Sequence, residues 1–164
     1  MPSTYAHYRF GTALLPAMPG DMVTPEGEKV GRHDGLMYYT LGQRRGLGIG
    51  GRGDGRSFFV VDKDLKNNRL IVAQGEDHPL LYSVSAIATD ATFVNSPIPE
   101  NTPMHLTCKF RYRQGDQGVT VTRTGDILNI VFDEKQRAVT PGQSAVLYDG
   151  DKCIGGGIVD RVNL

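Results

Sequence analysis

The sequence predicts an all-β protein built as two small antiparallel barrel-like subdomains joined by a short connector. Three observations carry that expectation. Short runs rich in β-branched and aromatic residues recur along the chain, Gly, Asn and Asp turn chemistry separates them, and a 3.6-residue apolar period is almost absent. A length of 164 residues suffices for one ordinary domain or two small ones with a real core. The expected organisation is an irregular lead-in over 1–20, a central β domain over 21–82 and a C-terminal barrel over 83–164.

In chain order, Pro2, Pro16, Pro19 and Gly20 break up the lead-in, where one helical turn is expected around 12–15. Residues 21–30 read as a hairpin turning at Pro25-Glu26-Gly27. Runs 58–61 and 70–73 form a second hairpin, because Asn67-Asn68 between them tolerates left-handed backbone. The subdomain boundary is expected around 80–85. Beyond it come a strand over 86–94 and a Pro-rich connector over 96–103. Strands 119–123 and 127–132 then pair over Thr124-Gly125-Asp126, and 145–148 pairs with 152–154 over Asp149-Gly150-Asp151.

Residues 36–51 organise the central domain. The stretch opens like a strand and then becomes glycine at nearly every second position, with Arg44 and Arg45 at the changeover. Glycine permits close approach of a ligand or a second backbone, and arginine offers a planar fork for phosphate or carboxylate. Together they suggest an anion-recognising loop. Composition alone favours the plainer reading, a glycine-rich hairpin with solvated arginines. His33, between glycines, fits a general base, an RNA contact or a structural histidine, and the sequence assembles no nucleophilic set around it.

A second basic feature spans 106–114. As a strand, it places Thr107, Lys109, Arg111 and Arg113 on one face and Leu106, Cys108, Phe110 and Tyr112 on the other. Three cations along roughly 14 Å of strand, at about 3.4 Å per residue, can track a phosphate backbone. A solvated face with acidic cross-strand partners is an equal alternative on this segment alone. Tyr112 at a strand end can also turn outward and stack on a base.

The formal charge is zero, which argues against non-specific coating of nucleic acid or of an anionic membrane. No apolar run spans a bilayer, and residues 1–10 lack a signal-peptide pattern, so a cytoplasmic setting without a membrane partner is expected. Cys108 and Cys153 form no CxxC motif, so no metal site is expected. Gly48-Ile49-Gly50-Gly51-Arg52-Gly53 satisfies GxGxxG literally, but Asp54-Gly55-Arg56-Ser57 cannot open the helix that a dinucleotide fingerprint requires. The residues alone describe a binding module.

Gly31-Arg32-His33-Asp34-Gly35 running into Tyr39-Thr40-Leu41-Gly42-Gln43-Arg44-Arg45-Gly46-Leu47-Gly48-Ile49-Gly50-Gly51 resembles the central-domain signature of the bacterial tRNA-specific 2-thiouridylases. Matches continue in order at Phe59-Val60-Val61-Asp62-Lys63-Asp64, Asn67-Asn68 to Gln74-Gly75, Lys109 to Arg113, Val139-Thr140-Pro141-Gly142-Gln143 and Cys153-Ile154-Gly155-Gly156-Gly157. They cover about residues 16–164, and the opening residues match poorly.

The resemblance implies an enzyme that activates the wobble uridine (U34) of tRNA by adenylation with ATP, in the presence of Mg, and then delivers sulfur from a cysteine persulfide. In the family an SGGxDS-type nucleotide loop and two catalytic cysteines do this, and neither occurs here; Cys108 and Cys153 lie outside the segments that carry that pair. The chain alone is therefore expected to be inactive and to hold no cofactor, with catalysis left to an N-terminal domain. Implied partners are the anticodon region of tRNA, that catalytic domain, and a sulfur-relay protein or cysteine desulfurase. Arg111 and Tyr112 match the family's tRNA-contacting Arg-Tyr pair, and Gln143 matches the glutamine of its Pro-Gly-Gln contact. Lys109, Arg113, Gln43, Arg44, Arg45 and His33 are secondary candidates for the same RNA. The competing reading is a stand-alone β-barrel adaptor that docks a protein through a sheet edge. A small-molecule pocket is a third.

Overall fold

A computed structural model describes residues 17–50 and 54–164; the helical turn expected at 12–15 lies outside them. The chain divides into two compact units, with the division between Leu81 and Tyr82.

The first unit is a four-stranded sheet. β1 (Gly20–Val23) and β2 (Lys29–His33) form the expected hairpin, its turn held by Gly27 N–H donating to the Thr24 carbonyl at 2.9 Å. Gly27 has φ 91, a left-handed value that glycine adopts without strain. β3 (Phe58–Asp64) and β4 (Arg69–Gln74) form the second hairpin, in which the Asp64 carboxylate accepts from the Asn67 amide N–H at 3.1 Å and Asn68 sits at φ 52. The sheet order is β2-β1-β4-β3, and β1 and β4 run parallel, Asp21 opposite Arg69 and Val23 opposite Ile71. The purely antiparallel expectation fails at this pair. The long segment between β2 and β3 gives the chain room to cross back, as a parallel neighbour requires.

That segment is not a strand. Leu36–Tyr38 forms a single 3-10 turn, and the glycine stretch follows as irregular chain. Gly42, Gly46 and Gly48, at φ 79, 78 and 65, turn the backbone out of extended geometry. The apolar residues between them still bury: Leu36, Tyr39, Leu47 and Ile49 pack on Met22, Val30, Val60, Leu70 and Val72. The stretch is thus a lid over one sheet face, held by its alternate side chains.

The second unit is a closed barrel of six strands: β5 (Tyr82–Phe93), β6 (Met104–Lys109), β7 (Gln117–Thr124), β8 (Ile127–Arg137), β9 (Ser144–Asp149) and β10 (Lys152–Asn163), in the spatial order β10-β5-β8-β7-β6-β9. Tight turns with Gly125 at φ 63 and Gly150 at φ 56 join β7 to β8 and β9 to β10, as the sequence indicates. Alternate residues point inward: Leu106 and Cys108, Val119 and Val121, Leu128 and Ile130, Ala145 and Leu147 are buried.

β10 closes the barrel, pairing with β5 on one side and β9 on the other. Its Gly155-Gly156-Gly157 run lies where both neighbours crowd in. A Cβ on Gly156 would collide with the Ala145 carbonyl, and one on Gly155 with the Thr92 carbonyl. Both obstacles are backbone and cannot swing aside. Gly156→Ala is therefore expected to lower unfolding free energy by about 2 kcal/mol or more, the scale of overpacking in a tight core. Urea denaturation checks this; a loss no larger than that of Gly150→Ala, where a Cβ meets nothing within 4 Å, would contradict the close-approach account.

Candidate nucleic-acid interface

The basic segment 106–114 is strand only as far as Lys109. Phe110 stays buried, edge-on to Phe132 at 5.5 Å between centroids, and the chain then turns. Gln114 makes the turn: its N–H donates to the Arg111 carbonyl at 3.0 Å and its Oε1 accepts from the Phe110 N–H at 3.1 Å. The single cationic face expected for Lys109, Arg111 and Arg113 is consequently not formed. A side-chain amide caps the strand after Lys109, so period-two alternation ends there. Leu106, Cys108 and Phe110 do face inward, but Tyr112 does not: it is 98% exposed at the turn, flanked by exposed Arg111 and Arg113.

Arg111 is anchored through one arm of its guanidinium. Its Nη2 donates to the Ala138 carbonyl at 2.8 Å, and Ala138 itself sits at φ 54, a left-handed value uncommon for alanine. A guanidinium has five N–H donors, so most of the fork remains free. Arg111, Arg113, Phe110, Gln114, Val139 and Gln143 border a recess of about 240 Å³ at one end of the barrel.

Gln143 closes that recess from a turn of its own. In Thr140-Pro141-Gly142-Gln143 the Gln143 N–H donates to the Thr140 carbonyl at 3.2 Å, Gly142 has φ 90, and the Gln143 Oε1 accepts from the Thr140 N–H at 3.0 Å. The turn docks on β10, Gly142 N–H to the Val159 carbonyl and Val159 N–H to the Gln143 carbonyl, each at 2.8 Å. Thr40-Leu41-Gly42-Gln43 in the first unit repeats the same device. Gln43 N–H to the Thr40 carbonyl is 3.1 Å, Thr40 N–H to Gln43 Oε1 is 3.0 Å, and Val60 of β3 takes the place of Val159 at 2.8 and 2.9 Å. The copies differ in one atom. Gln43 Nε2 donates to the Arg45 carbonyl at 2.9 Å, whereas Gln143 Nε2 has no acceptor among the described residues. Gln143 keeps both amide protons to offer, whereas Gln43 has committed one of its two.

The other sequence candidates separate by environment. Lys109 pairs with Asp116 at 3.1 Å and lies 5.5 Å from the Tyr148 ring centroid; the Asp116 hydrogen bond and charge raise its ammonium above the usual lysine value. Its charge is already answered. Arg44 and Arg45 are exposed and have no carboxylate partner among the described residues. The first unit's recess of about 510 Å³ is lined by Arg32 and Asp34 with Gly46, Gly48 and Gly50, not by the Arg44-Arg45 pair. Opposite charges at its rim make it a poorer anion cradle than the sequence suggests.

Of the three roles open to His33, the structure places it in the structural one and not in RNA contact. Its ring is 1% exposed, 6.0 Å from Tyr39 in an edge-on pair, with Nε2 3.1 Å from the Asn68 carbonyl. A carbonyl only accepts, so Nε2 carries the proton. Asn68 in turn donates to the Met18 and Pro19 carbonyls at 3.2 and 3.0 Å. His33 therefore braces the start of β1 and cannot reach an RNA.

Sequence reasoning missed Gln114 and Gln136. Gln136 is 5% exposed, an unusual burial for an amide. A signal existed: it keeps the parity of the buried run Leu128, Ile130 and Phe132.

Comparison with known proteins agrees with this layout. Residues 83–159 match the family model described as the aminomethyltransferase beta-barrel domain, and residues 9–74 match the tRNA methyl transferase PRC-barrel domain. The chain is thus a pair of β modules of the kind those two models define. It is 55% identical over 154 residues to the tRNA-specific 2-thiouridylase MnmA of Alkaliphilus oremlandii (strain OhILAs), covering 93% of this chain and 42% of that protein. The MnmA proteins of Pseudomonas syringae pv. syringae (strain B728a) and Bacillus subtilis (strain 168) are each 54% identical, over 89% and 93% of this chain and 39% and 41% of their own length. The chain spans about two fifths of the curated relatives it matches. Over nearly its whole length it is similar to part of the tRNA-specific 2-thiouridylases, and it carries the two barrel domains those family models describe.

Neither cysteine stands at this interface. Cys108 is fully buried in the barrel, and burial pushes its thiol up to about 12, so it stays protonated and unreactive at neutral pH. Cys153 is exposed on β10. A thiol-specific chromogenic reagent is expected to modify Cys153 at once and Cys108 only on unfolding; rapid labelling of both in the native protein would contradict the placement of Cys108.

Proposed function

We propose that this chain is the C-terminal, tRNA-positioning part of an enzyme that 2-thiolates the wobble uridine of tRNA. ATP-dependent adenylation and persulfide sulfur transfer fall, in this reading, to a catalytic domain elsewhere in the enzyme, with a sulfur-relay protein or cysteine desulfurase as donor and the cytoplasm as its setting. Among the described residues no helix is long and apolar enough to cross a membrane.

One observation carries the reading: Tyr112, 98% exposed, projects between two arginines beside a recess that contains an uncommitted amide donor. A tyrosine left in water loses the burial that ordinarily stabilises it, and an unpaired ring beside guanidinium groups is how sequence-tolerant RNA binders engage an unstacked base. Arg111 and Arg113 contribute the salt-dependent phosphate term, and Gln143 Nε2 supplies a neutral donor suited to a base edge, a ribose or a phosphate oxygen.

Fluorescence anisotropy with an anticodon stem-loop bearing a wobble uridine, at low and moderate salt and with the intact protein, tests this. Tyr112→Ala is expected to weaken binding by about 10- to 100-fold, the range of one base–aromatic stack. Arg111→Ala is expected to reduce the slope of log affinity against log salt by about 1. Unchanged affinity and slope in both variants would overturn the assignment. No RNA binding by the intact protein, with saturable binding to a protein instead, would favour a docking adaptor.

A further inference from the structure

The turn that presents Arg111, Tyr112 and Arg113 is held by a chain of three glutamines that begins and ends in the turn itself. Phe110 N–H donates to Gln114 Oε1 at 3.1 Å, Gln114 Nε2 to Gln136 Oε1 at 3.1 Å, Gln136 Nε2 to Gln117 Oε1 at 2.9 Å, and Gln117 Nε2 to the Gly115 carbonyl at 2.9 Å. Gln136 Nε2 has a second proton, which goes to the Glu134 carbonyl at 2.9 Å. A backbone N–H at one end and a backbone carbonyl at the other fix the direction of every amide between them. No member of the chain titrates, and none can be reversed without leaving a donor facing a donor.

The middle member lies beside a distortion of the sheet. The register between β5 and β8 breaks between Ser83 and Ser85, and Asp133, Glu134 and Lys135 are all exposed, interrupting the alternation of β8. Past that break Gln136 is buried again, on the parity of Leu128, Ile130 and Phe132 and opposite Ser83, within hydrogen-bond reach of Gln114. An amide at 5% exposure costs stability unless its polar atoms are answered, and both of Gln136's are.

We infer that Gln136 is a positioning residue for RNA recognition: through Gln114 and Gln117 it holds the Arg111–Arg113 turn in the geometry that presents Tyr112 and the guanidinium forks, without touching RNA itself. The inference rests on the RNA-binding reading above, because it says what that reading's contact turn depends on. Preorganisation of this kind lowers the ordering cost of binding. A turn freed from Gln136 keeps the same side chains but must be ordered each time RNA binds.

Two changes separate the chain's parts. Gln136→Met keeps length and removes both hydrogen bonds; Gln136→Glu keeps shape and an acceptor for Gln114 but turns a second acceptor toward Gln117 Oε1 and the Glu134 carbonyl. Each is expected to weaken binding of the wobble-uridine stem-loop by about tenfold, the scale of one buried hydrogen bond, in the intact protein. Trypsin cleavage after Arg111 or Arg113 reads the turn directly and needs no RNA. It is expected to accelerate in both variants by more than in a control variant with an equal fall in global melting temperature, which a merely structural role would not produce.

Arg111→Ala serves as the control for the underlying reading. If it reduces the salt slope as expected while both Gln136 variants bind and resist trypsin like the parent, the positioning inference is wrong and the RNA reading stands. If neither Arg111→Ala nor Tyr112→Ala changes affinity or slope, the RNA reading falls, and the trypsin rates alone decide whether Gln136 holds the turn. Should the Gln136 variants not fold, Gln117→Met, at a half-buried position, takes their place with the same expected and contrary results.

Discussion

The barrel exists because three consecutive glycines let β10 pass between β5 and β9 at backbone contact. Without that approach the sheet would stay open, and the ends of β6, β7, β8 and β9 would not share a rim. With it, Lys109 pairs with Val146, so the turn after β6 and the turn before β9 stand side by side. Arg111 and Gln143 are about thirty positions apart in sequence. They border one recess because β6 and β9 pair directly in that register.

The two Thr-x-Gly-Gln turns show how one local device serves two ends. In each, glycine takes a positive φ, the glutamine carbonyl-type oxygen ties back to threonine, and the turn adds itself to a strand through valine. In the first unit one of the two amide protons goes to the Arg45 carbonyl, which ties the Gln43 side chain within its own loop. In the second the amide donor faces a recess edged by arginines. The chemistry of the residue type is the same, and what differs is whether the next two residues supply an acceptor.

Much of this fold was readable from the chain. Both hairpins of the first unit, and the β7–β8 and β9–β10 pairs, follow from turn residues between β-rich runs, and Cys108 follows from strand parity. The parallel β1–β4 pair was not readable, because nothing local records which distant strand a hairpin will join. Residues 36–50 misled at their opening, where aromatic and β-branched residues suggest a strand and a 3-10 turn forms instead. The glycines that follow do make the loop they suggest, with positive φ at Gly46 and Gly48. At the interface, parity put Arg111 and Arg113 on one strand face. A single side-chain amide, Gln114, ended the strand first. His33 left three roles open in the sequence, and burial selects the structural one: its ring is the brace that Gly20 and Asn68 close around.

The most direct test of the account is a side-chain NMR titration of the intact protein with a wobble-uridine anticodon stem-loop, following the glutamine amide and arginine guanidinium resonances. The account predicts that Gln143 Nε2 and Arg111 shift on binding, since the first is an unused donor and the second a mostly free fork at one recess. RNA bound with both of those resonances unmoved would contradict it.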